Sequence, residues 1–134
     1  MKDKRSVQLH IWKQALDRLS EVLAKPVDDR IVVDAAIQRF EFCFELGWKT
    51  MKVFLEFQGQ KATLPREVIA TAYRAQWISD EPGWLQMMDD RNLSSHTYHE
   101  PLADLIYSRL PQHQLRMLEV AAAFDEQLSV PSSV

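Results

Sequence analysis

The chain has 134 residues, 46% of them hydrophobic, and a formal net charge of -3. That is material for one ordinary domain with a single apolar core. The acidic balance, with a pI of about 5.8, excludes a protein that coats nucleic acid by bulk positive charge, so any RNA contact must be local.

One cysteine, Cys43, excludes an intramolecular disulfide, and its neighbours Phe40, Phe42, Phe44 and Leu46 mark it as an inert core thiol. The start, Met1-Lys2-Asp3-Lys4-Arg5, leads into an amphipathic stretch, and no apolar run approaches membrane-spanning length. The expectation is a soluble, cytoplasmic protein with no membrane contact. With only three glycines and long stretches of Leu, Ala, Glu, Gln and Met at helical spacing, the chain reads as all-α.

Residues 7–24 form the first expected helix, because Leu9, Trp12, Leu16, Leu19 and Leu23 recur at steps of three and four and Pro26 punctuates the end. A longer second helix is expected over 29–58. Ile37, Phe40, Phe44, Trp48, Met51 and Leu55 make its stripe, and Phe42, Leu46, Val53 and Phe57 widen it enough to suggest two packing neighbours. Gly59 stands at the stop signal. A short third helix should open at Pro65, capped by Thr63, and reach Trp77.

Asp80-Glu81-Pro82-Gly83 is the next break, and Trp84, Leu85, Met87 and Met88 begin a fourth helix that should falter over 92–95. Pro101 opens the last helix, carried by Leu102, Leu105, Ile106, Leu110, Leu115, Leu118 and Phe124. Pro111 should kink or divide it, and residues 129–134 should fray. The economical architecture is an up-and-down antiparallel helical bundle with a four-helix core, one domain over 1–134.

Between the last two apolar segments lies a polar cluster, Asp89 to Glu100, of the kind that often carries function. Arg91 and His96, five residues apart, would point roughly 140° from each other on an unbroken helix. A shared site therefore needs a helix break or two copies of the chain. Asn92, Ser94 and Ser95 compete for helical hydrogen bonds, and Glu100 before Pro101 is biased away from the helical region, so 93–100 should form a shaped loop. If His96 to Tyr98 is extended, imidazole and phenol open onto one cleft.

An arginine can hold a phosphodiester through paired hydrogen bonds, and a histidine can move a proton on or off a ribose hydroxyl. The pair suits metal-independent RNA cleavage by the RNA's own 2'-hydroxyl, with Arg91 stabilising the charged transition state. From residue types alone a structural reading stands first. Asp89 or Asp90 could pair with Arg91, Asn92 could cap a helix, and His96 and Tyr98 could tether the loop.

Glu41, Glu45 and Lys49, spaced i, i+4, i+8, read as a solvated face with an ordinary Glu45–Lys49 pair. The alternative is that Glu41 or Glu45 lines the cleft opposite His96, orienting its ring or contacting a partner. His10, His99 and His113 have no companion donors at metal-ligand spacing and read as surface residues, so no metal site is expected. Trp12, Trp48, Trp77 and Trp84 lie at or beside the apolar stripes and read mainly as core.

Arg91, His96 and Tyr98 stand as R-x4-H-x-Y, and this segment resembles the motif of HepT-type HEPN proteins, with Asn92 fitting their common Arg-Asn start. The stretches from Gln38 to Lys49 and from Pro65 to Val68 look like landmarks of the nucleotidyltransferase substrate-binding protein family, and the resemblance runs from about Leu9 to Val120. It implies a HEPN-like bundle, usually a homodimer, encoded beside a minimal nucleotidyltransferase.

Two functions follow from the resemblance. In one, the protein is a ribonuclease toxin with Arg91 and His96 as catalytic residues, silenced when an MntA-like antitoxin attaches AMP to Tyr98; Asn92, Glu41 and Glu45 would support the site or bind substrate. In the other, it is a non-catalytic substrate-binding subunit of a two-component nucleotidyltransferase. The chain has no Gly-rich phosphate loop and no Gly-Ser pair followed by paired aspartates, so ATP and Mg2+ are expected on the partner.

Overall fold

Asp3, Asp29 and Asp80 each stand just before a helix and accept a hydrogen bond from a free amide of its first turn: Arg5, Ile31 and Gly83 respectively. In the computed structural model, which describes residues 3–130, they open three of five helices. These are α1 (Lys4–Leu23), α2 (Arg30–Phe57), α3 (Pro65–Arg74), α4 (Glu81–Leu93) and α5 (Glu100–Ser129), with a 3-10 turn at Ser94–His96 between the last two. Among the described residues there is no strand. The N-cap at Asp3 explains why α1 begins at Lys4, three residues before the expected start at residue 7.

The chain runs up, down, up and down. Lys13 pairs with Asp125 at 2.7 Å and Gln114 bonds Ser20, so α5 lies antiparallel to α1. Phe40 stacks on His113 and Phe54 on Phe124, so α5 runs parallel to α2. The two short helices α3 and α4 together make the third leg of this all-helical, four-leg bundle.

Trp12, fully buried, lies across α2 and donates its indole N–H to the Cys43 carbonyl at 3.0 Å. Gly47 makes room, since a Cβ there would stand 2.9 Å from the Trp12 ring. Beside it burial pushes the Cys43 thiol up to about 12, as expected of an inert core residue. Trp84 and Trp77 are also buried, while Trp48 is partly so.

Several expectations need correction. Phe42, Phe57, Leu105, Leu115 and Leu118 are exposed; they lie off the buried faces marked by Phe40–Phe44–Met51–Leu55 on α2 and Ile106–Leu110–Met117–Phe124 on α5. Thr63 does not cap α3: the N-cap is Leu64, which makes no side-chain bond, and Pro65 follows in the first turn. That helix ends at Arg74, not Trp77. Gln76 turns left-handed at φ 66°, and the amides of Gln76 and Trp77 close onto the carbonyls of Tyr73 and Ala72, which swings Trp77 back into the core.

Pro111 neither divides α5 nor ends it, because the helix continues as one element from Glu100 to Ser129. The proline is exposed, while Leu110 and His113 beside it are buried in the bundle. Of the tail expected to fray, residues 131–134 lie outside the described residues. No helix among those described is long and apolar enough to cross a membrane.

Candidate functional site

The end of α4 is fixed by two consecutive residues pointing to two different helices. Arg91 reaches α2, where its Nη2 donates to Glu45 Oε2 at 2.6 Å; Glu45 Oε1 faces Lys49 Nζ at 3.3 Å. Asp90 reaches α5, where His113 Nε2 meets Oδ2 at 2.8 Å. Neither Asp89 nor Asp90 takes up Arg91. Its other terminal nitrogen, Nη1, lies 3.5 Å from Asn92 Oδ1, and about a third of the side chain stays exposed, open to an anion.

The helix stops because its last carbonyls are claimed from the turn that follows. Ser94 is buried, and both its amide and its hydroxyl donate to the Arg91 carbonyl, while Thr97 Oγ1 donates to the Ser94 carbonyl. The expected break is therefore present, as a 3-10 turn and not an extended loop. Thr97 has φ -75° and ψ 1°, so alternation of side chains does not apply. The rings of His96 and Tyr98 nevertheless meet edge to face, with centroids 6.0 Å apart.

His96 is exposed and Tyr98 is 84% exposed. Among the described residues neither side chain makes a hydrogen bond, so they do not tether the loop. Arg91 and His96 are likewise joined by no direct bond within one chain. Just beyond, Arg30 of α2 pairs with Asp104 at 2.5 Å and Glu100 at 3.5 Å, closing the first turns of α5 onto α2; the Asp104 hydrogen bond, ahead of the burial that opposes it, raises the arginine's proton affinity.

The expected supporting residues divide. Glu45 sits in the site, tied to Arg91; Glu41, one turn earlier on α2, is half-buried and has no bond to the motif among the described residues; Asn92 is exposed beside Arg91. Glu45 also makes its expected pair with Lys49.

His113, expected at the surface, is fully buried. Its phase with Ile106, Leu110, Met117 and Phe124 places it on the core face of α5, and that phase was the readable signal. Among the described residues no group of three or more His, Cys, Asp or Glu side chains is arranged to hold a metal ion.

A helical bundle with Arg-x4-His-x-Tyr across the break between its last two helices defines the class. The chain belongs to the family described as nucleotidyltransferase substrate binding protein like, whose model matches residues 7–128. It is 33% identical over 89 residues to a probable ribonuclease HepT of Haemophilus influenzae, a match covering 63% of this chain and 60% of that relative's length.

Among solved structures, one from Thermus thermophilus is 37% identical with a TM-score of 0.80, covering 84% of this chain and 98% of that one. A tri-AMPylated HEPN toxin of Shewanella oneidensis, solved in complex with an MNT antitoxin, shares the fold at a TM-score of 0.75 and 16% identity, covering 94% of this chain and 99% of that one.

Proposed function

We propose that this protein is the HEPN component of a toxin-antitoxin pair, a metal-independent ribonuclease whose activity is switched off by AMP transfer to Tyr98 from a minimal nucleotidyltransferase. The observation that carries the reading is the exposure of Tyr98, edge-on to His96, just past a turn that follows the anchored, part-exposed Arg91 at the end of α4. Apart from that edge contact with His96, the Tyr98 ring is left to solvent and takes no part in the core. The relation to a probable ribonuclease HepT and the fold shared with an AMPylated toxin support the same reading.

In cleavage, the RNA 2'-oxygen attacks the adjacent phosphorus, the bond to the 5'-oxygen breaks, and a cyclic phosphate and a free 5'-hydroxyl result. His96 moves the proton, and Arg91, held by Glu45, stabilises the extra negative charge on the phosphoryl oxygens. Because Arg91 and His96 lack a direct bond within one chain, a homodimer that closes the open turn against a second copy belongs to the proposal. The exposed Phe42 of α2, one turn before Glu45, offers apolar surface for it.

In silencing, the Tyr98 phenolic oxygen attacks the α-phosphorus of ATP, pyrophosphate leaves, and the phenolic proton passes to a base of the partner. ATP and Mg2+ are the partner's. The added phosphate then occupies the surface beside His96 and Arg91 that RNA needs.

The test is intact mass after co-expression with the neighbouring nucleotidyltransferase, alongside RNA cleavage by the unmodified protein. The expected result is an AMP mass increase that needs the partner and is lost in Tyr98→Phe, together with cleavage abolished in Arg91→Ala and His96→Ala. The family description favours a second reading, a substrate-binding subunit. No cleavage and no mass increase with an active, bound partner would establish that reading instead.

A further inference from the structure

Beneath the motif a chain of polar groups runs along the α4–α5 seam. Asp90 and His113 are both fully buried, 2.8 Å apart. The other ring nitrogen of His113, Nδ1, lies 2.9 Å from Arg116 Nη1, and Arg116 Nε donates to Asp80 Oδ2 at 2.8 Å. A guanidinium has only donors, so Nδ1 must accept, and the ring proton sits on Nε2 and points at Asp90. The tautomer is thus set from one side and used on the other.

The ring also stacks on Phe40 of α2, centroids 5.4 Å apart, so it cannot tilt away. Gln86 Nε2 donates to Asp90 Oδ1 at 3.1 Å. Arg109 Nε approaches Oδ2 to 3.3 Å but lacks hydrogen-bond alignment. At the other end, a Cβ on Gly83 would collide with Arg116 and Asp80, so the first turn of α4 is shaped to admit this chain.

A buried carboxylate costs stability unless fully bonded, and an apolar pair would hold two helices together as well. What the polar pair adds is direction. Asp90 immediately precedes Arg91, in the last turn of a helix where the intrahelical ladder runs out. We infer that the Asp90–His113 pair, oriented by Arg116, is a positioning device that fixes the last turn of α4 so that Arg91 is presented to Glu45 and to the phosphate. The catalytic half of that statement rests on the ribonuclease reading above; the structural half does not.

The test uses the full chain and compares His113→Met with His113→Gln. Both are of similar length and shape, but only the glutamine amide can donate to Asp90 and accept from Arg116. Amide hydrogen exchange is followed over residues 91–98 and, as reference, over 40–51 of α2; turnover and KM are measured on a short RNA.

The expected result for His113→Met is exchange over 91–98 faster by about tenfold relative to α2, with turnover reduced and KM little changed, and recovery of most of both in His113→Gln. Exchange rising equally in both segments, or a glutamine variant no better than the methionine one, would overturn the inference. Should His113→Met not fold, Arg116→Gln, at a side chain 24% exposed, removes the orienting partner together with the Asp80 pair at the start of α4 and is expected to loosen 91–98, whereas Asp80→Asn, which weakens that pair alone, is not. Local loosening in the variants of a wild type that cleaves no RNA would end the ribonuclease reading and leave the positioning role intact.

Discussion

Glu45 divides one carboxylate between two cations, Arg91 at 2.6 Å and Lys49 at 3.3 Å. On the proposed chemistry its task is to aim the guanidinium. Glu45→Gln, which keeps the shape but loses the charge-assisted bond, is expected to lower turnover on RNA by about tenfold without raising KM; steady-state kinetics would check this, and unchanged turnover would remove Glu45 from the site. The motif residues and the break at 94–96 were legible because they are local: residue types and spacing carry them. The partner of Arg91 was not, because Glu45 lies 46 positions away and its local spacing to Lys49 suffices to explain it as an ordinary surface pair. His113 was misread for a related reason. Judged by chemistry it lacked metal companions, whereas its helical phase placed it among core residues.

At the scale of elements, the helices were readable from apolar phase and caps, and the misreadings came where backbone geometry overrode side-chain type. Just past the end of α2 at Phe57, Gly59 takes φ 78°, the expected residue for a left-handed C-terminal turn. α3 uses the same closure with Gln76 at φ 66°, a residue with no such preference, so the sequence pattern continued to Trp77. Gln76 is exposed, and Gln76→Gly should therefore stabilise the protein by about 1 kcal/mol, since glycine removes the Cβ penalty of that conformation; chemical denaturation would measure it. A loss of stability would mean that the glutamine side chain does something its exposure conceals. Pro111 is the opposite case, where a helix breaker was overruled because buried neighbours on both sides keep α5 continuous.

For the whole molecule, α4 is bound to α5 at its start through Asp80 and Arg116 and at its end through Asp90 and His113. The Arg116 hydrogen bond, aided by the Gly83 amide, holds the Asp80 carboxyl below the usual carboxylate range. A lowered value means that stability is present above the ordinary carboxylate pKa and is lost as pH falls through the lowered one. Thermal melts below about pH 4 should drop more in the wild type than in Asp80→Asn, by a small margin because the pair is partly exposed and screened.

The same double anchoring has a consequence for synthesis. Glu45 is made long before Arg91, but His113 follows Asp90 by 23 residues, in the helix that comes last. A ribosome builds from the N-terminus and hides its newest segment. The hairpin of α1 and α2 can therefore form while the arginine is still unset, and the loop gains its geometry only once α5 has emerged and docked.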